Sequence, residues 1–334
     1  MSTTSKDDML SGFPVAAPIH SGKAPRFVDV AVTATAKEFA GIYRNKQYHE
    51  PDFLAVLDRA LAAGVHKVML TGMSLDDVDF NLQIARQRPQ QCAITVGIHP
   101  YHASEAEDKG PAYYAQLTSV VRDLLAEPST LLVAFGELGL DYDHLERAPK
   151  DAQLRAFEAQ LDVFVSNGFD LPLFLHCRAA FDDFAAVITP YLPRLPRGGL
   201  VHSFVGTKAQ MGILTNMGFE ISVNGFSFRD KDSLEMIRAL PLAKLQIETD
   251  APWGLIPPSS EVARRYLTNS FPLPASKKRD KHQMECMVKD RNESCAISQV
   301  AFVVAGLKHI PVDDVMTSAW INSIRMFRLT RDEE

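Results

Sequence analysis

Four side chains that can bind a metal ion lie at or near the carboxyl ends of short apolar runs: Glu137, His176, His202 and Asp250. Imidazole nitrogens and carboxylate oxygens together form mixed sites for divalent cations. Taken alone, each residue has an ordinary structural explanation, such as a helix cap or a hydrogen-bonded core histidine. Their coincidence at equivalent positions of several strands predicts one shared metal site.

Strand alternation separates a ligand from a supporting residue in the last of these runs. Side chains two residues apart share a face of a strand, so Glu248 and Asp250 are predicted to point one way and Thr249 the other. Glu248 is therefore interpreted as a hydrogen-bonding partner of a ligand rather than as a ligand. Asp29 lies within the first run, where it is either a further metal ligand or a structural strand residue.

Arg178 shares a strand face with His176. Its guanidinium group would suit a phosphate oxygen beside the metal, and a surface salt bridge is an equally good interpretation. The sequence has no G-x-S-x-G elbow that would present a serine nucleophile. A water molecule whose pKa falls from about 15.7 towards 7 on a divalent ion is the more economical nucleophile.

The elements that must position these residues are short apolar runs, each with the length of a buried parallel strand. There are eight of them: Arg26–Thr33, His66–Thr71, Ala93–His99, Leu131–Glu137, Leu173–His176, Leu200–Phe204, Phe219–Val223 and Leu245–Asp250. Helical patterns are found at Pro51–Ala63, Asp151–Asn167, Ala179–Leu192, Lys208–Met217, Asp232–Ala239, Ser298–Leu307 and Val312–Leu329. The alternation predicts an α/β fold, a TIM-like (β/α)8 barrel in which the carboxyl ends of the strands converge on one face. An open doubly wound sheet is the alternative, but its usual phosphate-binding motifs, G-x-G-x-x-G and G-x-x-x-x-G-K-[ST], are missing.

Length and composition fit a single barrel domain over residues 26–330. Residues 1–25 are rich in Ser, Thr, Ala, Pro and Gly, and they are predicted to form a disordered leader rather than a secretion signal. The segment Trp253–Ser294 is rich in Pro, Ser and charge and has no clear period. We expect this segment to lie over the barrel mouth, since long loops in compact domains are often functional.

The net charge of -6 argues against a protein that coats nucleic acid with a broad basic surface. A metal ion in a small site would still supply local positive charge. No apolar run reaches the roughly 18 residues of a transmembrane helix, so no membrane partner is expected. The 4 cysteines form no C-x-x-C pair and are predicted to be reduced thiols. We expect a monomer in the cytoplasm, with the nucleus as an alternative location, and no secretion.

Ordered motifs along the chain resemble the TatD family of deoxyribonucleases. Four of them are G-E-L-G-L-D, L-H-C-R, V-H-S-F-x-G-T and E-T-D-A-P-W, which begin at Gly136, Leu175, Val201 and Glu248. Four more are D-V-A-V-T-A-T, T-G-M-S, V-G-I-H-P and R-N-E, which begin at Asp29, Thr71, Val96 and Arg291. The resemblance runs from about Phe27 to Phe327 with the motifs in the expected order.

This resemblance implies a metal-dependent-hydrolase barrel that cleaves the phosphodiester bonds of DNA, with exonuclease action from 3′ ends as one form. It implies that the metal ligands are Glu137, His176, His202 and Asp250. It also implies that Asp250 orients or deprotonates the attacking water and that His99 is catalytic or contacts phosphate. Mg²⁺ is the favoured cofactor, although Zn²⁺ and Mn²⁺ also suit these ligands, and no organic cofactor is expected.

The chain departs from many relatives in its first strand. Those relatives carry D-x-H-x-H, whereas Ala31 and Thr33 stand at the histidine positions here. The classical TatD branch also lacks these histidines, so their absence does not exclude an enzyme. Whether the site holds one ion or two stays open. Lys277 and Lys278, in the segment before the R-N-E motif, are interpreted either as contacts to the DNA backbone or as part of a solvated loop.

Two other functions stay open at the level of sequence. One is a hydrolase of the same chemistry that acts on another ester or amide, because barrel folds host many reactions. The other is a non-catalytic relative that binds DNA. Retention of all four ligand residues argues against the second, because a site without chemistry has no reason to keep them together.

Overall fold

The computed structural model describes residues 9–329. Its eight-stranded sheet follows chain order, and every neighbouring pair of strands is parallel. The strands are β1 (Phe27–Val32), β2 (Val65–Leu70), β3 (Cys92–Val96), β4 (Leu132–Asp141), β5 (Leu173–Arg178), β6 (Gly199–His202), β7 (Glu220–Val223) and β8 (Leu245–Ile247). A parallel bridge between Val32 and Ala251 joins the two outer strands. The predicted (β/α)8 barrel is confirmed.

Helices surround the sheet. They are α1 (Phe53–Ala62), α2 (Val78–Gln87), α3 (Ala103–Lys109), α4 (Pro111–Leu125), α5 (Lys150–Asn167), α6 (Phe181–Ile188), α7 (Lys208–Asn216), α8 (Lys231–Ala239), α9 (Glu261–Tyr266), α10 (Ile297–Lys308) and α11 (Val312–Phe327). All seven helices predicted from periodicity are present, whereas α2, α3, α4 and α9 were not predicted. Helices α3 and α9 have only 7 and 6 residues, too few for a helical period to be recognised.

Aromatic side chains fill the layer between the barrel and its helices. Phe157 and Phe164 on α5 are almost fully buried, as the predicted apolar stripe requires. Phe157 stacks on Phe184 of α6 with ring centroids 5.4 Å apart, and Phe164 packs against Phe135 of β4 at 5.3 Å. The strand that carries Glu137 is thereby fixed from behind by well-packed hydrophobic contacts.

The prediction of a disordered leader does not hold for residues 9–25. Leu10 and Phe13 are buried in the hydrophobic core. The hydroxyl of Tyr266 donates to the carbonyl of Pro14 at 2.7 Å, and Ser21 is hydrogen-bonded to Asp313. Composition did not show that these two apolar side chains belong to the core, or that this stretch is hydrogen-bonded to α9 and α11. Residues 1–8 lie outside the described part of the chain.

The long segment after β8 is tied to the β1–α1 connection. It contains α9, and its Ser276–Lys277 pairs with Met287–Val288 as a short parallel ladder, while Ile42–Tyr43 and Lys46–Gln47 form an antiparallel pair. Four buried charged residues link the two regions, and we call them the ion-pair network: Asp52, Arg59, Arg291 and Glu293. The segment is therefore anchored to the β1–α1 connection, and Trp253 at its start lines the cavity at the mouth.

No single described helix is both long and apolar enough to cross a membrane. One bent pair, Ser294–Lys308 with Val312–Phe327, passes the test of length and composition together, and α10 within it is almost entirely buried in the fold. The cysteines are all free and buried.

Candidate metal centre

Glu137 owes its position to the glycine that precedes it. Gly136 has a φ of 145°, and a Cβ atom there would lie 2.1 Å from the carbonyl oxygen of Phe174 on β5. Only glycine allows this close approach of the two strands. The backbone amide of Glu137 donates to the carbonyl of Gly72 at 3.3 Å, which fixes the start of the G-E-L-G-L-D motif.

His176 and His202 face each other because their strands are in register. They are paired residues of the parallel strands β5 and β6, so their side chains leave the sheet on the same face at the same level. Both side chains are nearly buried. His176 Nδ1 lies 3.2 Å from His202 Nε2.

Asp250 reaches the same place by a turn rather than by strand alternation. Strand β8 ends at Ile247, and Asp250 has a φ of 54°, a left-handed conformation that aspartate tolerates better than most residues. Beyond Ile247, Thr249 Oγ1 donates to Asp29 Oδ2 at 2.6 Å, whereas Glu248 and Asp250 lie in one group of possible ligand atoms with His202. The backbone amide of Asp250 donates to the carbonyl of Ala31 at 3.1 Å, which holds the turn against β1.

The four sequence-predicted ligands meet at the mouth of the barrel, and we call them the mouth cluster: Glu137, His176, His202 and Asp250. Glu137 Oε1 lies 2.7 Å from His176 Nδ1 and 2.5 Å from His202 Nε2. Two groups of possible ligand atoms adjoin here, each with its atoms within 4.8 Å of one another: His99 with Glu137 and His176, and His202 with Glu248 and Asp250. The short contact between Glu137 and His202 joins the two groups into one cluster.

Each histidine of the mouth cluster has a carboxylate behind it. His176 Nε2 lies 3.1 Å from Asp141 Oδ2, and His202 Nδ1 lies 3.4 Å from Glu248 Oε1. Histidines that bind a metal usually present one nitrogen to the ion and the other to such a carboxylate. His202 Nδ1 is buried and has no well-directed hydrogen bond among the described residues. The donor set and its supporting carboxylates therefore fit a divalent cation.

Charges within the mouth cluster shift one another's titration. Burial alone would raise the pKa of Glu137, but His202 and His99 outweigh it and hold this pKa well below its usual range. Burial would lower the pKa of His202, yet Glu137 and Glu248 raise it well above the ordinary value. Asp250 differs, since burial raises its pKa to about 7 and Glu248 adds repulsion. A buried carboxyl group that titrates near neutral pH is suited to accept a proton.

His99 lies just beyond the end of β3 and borders the cluster. Its Nδ1 accepts a hydrogen bond from the amide of Tyr101 at 3.1 Å, which leaves Nε2 to carry the proton of the neutral ring. Nε2 lies 3.2 Å from Glu137 Oε1. Burial lowers the pKa of His99 to about 4, so the ring is neutral at pH 7. His99 can therefore orient Glu137 by donating a hydrogen bond.

Asp29 stands apart from the mouth cluster. Its Oδ1 accepts from the amide of Thr249 at 2.9 Å, and its Oδ2 accepts from the Thr249 hydroxyl. Among residues 9–329, none of the candidate metal groups includes Asp29. Of its two sequence interpretations, the geometry favours the structural one, in which Asp29 fixes the turn that carries Asp250.

Above the cluster opens a cavity of about 490 Å³ whose lining combines basic and aromatic side chains. Arg178 Nη2 donates to the carbonyl of Ser203 at 2.9 Å, and the Arg178 guanidinium lies 5.6 Å from the ring of Phe226. The Arg229 guanidinium lies 4.3 Å from the centroid of the same ring. Trp253 also lines the cavity and is 41% exposed. The mouth can thus offer positive charge and flat apolar surface to one ligand.

The two predicted lysine contacts do not reach this cavity. Within the part of the chain that is described, neither Lys277 nor Lys278 is among its lining residues. Lys277 Nζ donates instead to Gln283 Oε1 at 2.6 Å, within the same loop. The solvated-loop interpretation is therefore the one that the geometry favours for both.

Sequence reasoning missed several residues of the mouth: Tyr101, Asp141, His144, Arg147, Phe226, Arg229 and Trp253. Asp141 was available to it, because Asp141 follows Glu137 by an even number of residues in a strand that continues to Asp141. The predicted strand ended at Glu137, so the alternation was not extended. Arg147 and Arg229 lie in connections between elements, where no periodicity indicates which way a side chain points.

The chain resembles proteins of one known family over nearly its whole length. Residues 28–328 match the family described as TatD related DNase. A protein of Schizosaccharomyces pombe named Deoxyribonuclease Tat-D is 40% identical over 91% of this chain and 96% of its own length. A protein of Erwinia billingiae named 3′-5′ ssDNA/RNA exonuclease TatD is 31% identical over 90% of this chain and 98% of its own length.

A solved structure agrees with the fold. The crystal structure of a hydrolase TatD family protein from Entamoeba histolytica superposes with a TM-score of 0.82 at 28% identity, covering 92% of this chain and 99% of that one. The match to the family spans nearly the whole described barrel, including every residue of the mouth cluster. The chain therefore belongs to the TatD family.

Proposed function

We propose that this protein is a divalent-metal-dependent deoxyribonuclease that hydrolyses phosphodiester bonds with a water molecule as nucleophile. The observation that carries this proposal is the convergence of two imidazoles and two carboxylates at the carboxyl ends of the barrel strands, where active sites of this fold form. The names of the relatives from Schizosaccharomyces pombe and Erwinia billingiae support the same reaction.

The bound cation supplies positive charge that polarises the phosphate and lowers the pKa of water. Glu137, His176, His202 and Asp250 would hold it, while Asp141 and Glu248 keep the imidazoles oriented. Asp250 faces the cavity beside His202, so it also orients the attacking water and takes its proton. Arg178 stands over the cluster, where it stabilises the negative charge that develops on the phosphate oxygens.

The substrate we propose is the 3′ end of a single strand. Trp253 and Phe226 offer flat faces on which an unpaired base can stack, and Arg178, Arg229 and Arg147 lie within the same cavity to contact the backbone. The printed name of the Erwinia billingiae relative specifies a 3′-5′ exonuclease of single-stranded DNA and RNA. Removal of nucleotides from the 3′ end follows if the last base is bound beside Trp253.

Mg²⁺ is the proposed physiological cation, bound with several waters because it prefers oxygen ligands. Imidazole donors also suit Zn²⁺ and Mn²⁺, so these ions should support turnover to different extents. Because Ala31 and Thr33 stand at the positions where many, but not all, members of the family carry histidines, we propose that one ion is held tightly and that any second ion is held weakly.

The test is digestion of single-stranded oligonucleotides by metal-stripped protein that is resupplied with Mg²⁺, Mn²⁺ or Zn²⁺ in turn. With a label at the 5′ end, the expected products form a ladder that shortens one nucleotide at a time. Asp250→Asn serves as the inactive control and excludes a contaminating nuclease. Failure of every cation to restore cleavage would refute the proposal, and activity on a panel of other esters or amides would redirect it to a different substrate.

A further inference from the structure

Beyond the mouth cluster, a second group of metal-binding side chains joins the β1–α1 connection to the segment after β8. It consists of His49, Asp52 and His282, whose candidate ligand atoms all lie within 4.8 Å of one another. The rings of His49 and His282 are 4.4 Å apart and tilted by 47°. None of the three belongs to the mouth cluster, so the proposed nuclease chemistry does not explain this arrangement.

His282 is the feature that most needs an explanation. Its side chain is only 3% exposed, and neither ring nitrogen has a hydrogen-bond partner among residues 9–329. Burying a polar group without a partner costs free energy, and buried imidazoles normally find a donor or an acceptor. Its Nε2 lies 3.4 Å from Asp52 Oδ2. A tetrahedral ion with metal–ligand distances of about 2.1 Å separates its ligands by roughly the same amount.

His49 is oriented as metal-binding histidines usually are. Its Nδ1 lies 2.8 Å from the carbonyl oxygen of Glu50, so the proton of the neutral ring is held there and the lone pair is left on Nε2. That nitrogen is 3.4 Å from the hydroxyl of Tyr43, too far for a strong hydrogen bond. One imidazole is thus prepared to bind, and the other is buried without a partner.

The charge of the surroundings decides which ion would bind. Asp52 already accepts hydrogen bonds from Arg291 at 2.7 and 2.6 Å, and Glu293 pairs with Arg291 and Arg59. Two guanidinium groups therefore balance two carboxylates, and a dication gains little from net charge. The affinity must come from the imidazole nitrogens, which favours Zn²⁺ and similar transition metals over Mg²⁺ or Ca²⁺.

We propose that His49, Asp52 and His282 form a second, zinc-type site that clips the segment after β8 onto the β1–α1 connection. Three protein ligands leave a fourth position for water. The site is structural in its effect, because it closes a contact between two connections that are distant in sequence. Its selectivity differs from that proposed for the mouth cluster, which should accept Mg²⁺.

Zinc stoichiometry tests the proposal. Metal-stripped full-length protein is dialysed against Zn²⁺ in excess Mg²⁺, and bound zinc is measured by atomic absorption. His282→Asn should bind about one equivalent less than the unsubstituted protein. His309→Asn is the matched control, since His309 is exposed and has a φ of 58° that asparagine tolerates, and it should bind as much as the unsubstituted protein. Equal zinc content in His282→Asn and His309→Asn would overturn the proposal.

A second measurement needs no substitution and covers the case in which His282→Asn fails to fold. Amide hydrogen exchange of the unsubstituted protein should slow at residues 41–52 and 276–290 when Zn²⁺ is added, but not when Mg²⁺ is added. Zinc that protects only peptides of the mouth cluster would overturn the proposal. Because nuclease activity with Mg²⁺ is measured separately, failure of this site leaves the proposed function intact.

Discussion

Two groups of buried charges lie on the same side of the barrel, and they are balanced in opposite ways. The ion-pair network contains its own cations, since Arg59 and Arg291 pair with Asp52 and Glu293 at distances of 2.6 to 3.3 Å. In the mouth cluster, the carboxylate of Glu137 is surrounded only by imidazoles among the described residues that form ion pairs with it. All four residues of the ion-pair network are buried, as are Glu137, His176 and His202, whereas Asp250 is partly exposed to the cavity.

The difference indicates which group is structural and which is functional. Buried charges are costly unless they are paired, so a neutral network of guanidinium and carboxylate groups can serve as a permanent part of the fold. A cluster of carboxylates and imidazoles contains no permanently charged guanidinium or ammonium group. A metal cation that binds there would balance the charge of its carboxylates. The ion-pair network should therefore control stability, and the mouth cluster should control activity.

The largest expected effect is on catalysis. Asp250→Asn should lower kcat by about 10² to 10⁴, because an amide cannot take the proton of the attacking water. Single-turnover cleavage of a labelled oligonucleotide at saturating Mg²⁺ measures this loss. A variant that retains nearly full activity would remove Asp250 from the proposed mechanism.

The same substitution should not destabilise the metal-free protein. Burial raises the pKa of Asp250 to about 7, above its value in the unfolded chain. The free energy of unfolding therefore falls as the pH rises from that unfolded value to about 7, because the unfolded chain releases this proton more readily than the folded protein does. Above pH 7 the neutral amide avoids this cost. Thermal unfolding at pH 8 should therefore give Asp250→Asn a melting temperature at least as high as that of the unsubstituted protein, and a clear drop would contradict the comparison.

The ion-pair network should show the reverse behaviour. Glu293→Gln leaves Arg59 and Arg291 without one of their two carboxylates in a buried site, so it should lower the free energy of unfolding by about 3 to 5 kcal/mol. Urea denaturation measures this change. Glu127→Gln, which breaks the exposed pair with Arg86, is the control and should cost less than about 1 kcal/mol. Equal effects of the two substitutions would remove the distinction between the regions.

A smaller effect is expected at the rim of the mouth. Trp253→Ala should raise KM for a single strand by roughly five- to hundredfold, since stacking of one base contributes about 1 to 3 kcal/mol. Trp253→Phe keeps an aromatic face and should lose much less. If both variants behave alike, Trp253 does not stack on the substrate.

The smallest effects concern surface charge. Arg229→Ala should reduce the slope of log affinity against log salt concentration by about 0.7, the value for one phosphate contact on a single strand. Lys277→Ala and Lys278→Ala should leave that slope unchanged, because both lie away from the cavity. A change of slope in the lysine variants would indicate that these lysines contact the nucleic acid.

Periodicity and composition predicted the barrel because they depend on interactions that every buried parallel strand shares. Runs such as Leu173–His176 are apolar since both faces of the strand are covered, and they end where the chain meets solvent. The register of β5 and β6 then brings His176 and His202 together without further information. For this reason the histidines of the mouth cluster could be identified from strand ends alone.

Elsewhere the prediction failed where the backbone leaves regular structure. The strand predicted to reach Asp250 ends at Ile247 and Asp250 enters a left-handed conformation, so periodicity did not show the turn that carries Asp250. Residues 9–25 have the composition of a leader, but they are hydrogen-bonded to Tyr266 of α9 and Asp313 of α11, and Leu10 and Phe13 are buried in the core. Composition cannot reveal such contacts.

By itself, the sequence determined the fold class and the types and order of the ligand residues, because hydrophobic periodicity is a local property and strand ends converge in any barrel. Strand alternation also indicated Glu248 as a partner of a ligand, and it extends to Asp141 once β4 is given its full length. Tertiary structure alone decided which other polar residues accompany them: Arg229 and Trp253 at the rim, and His282 beside His49. These contacts join residues far apart in the chain through turns whose side-chain directions no sequence period encodes.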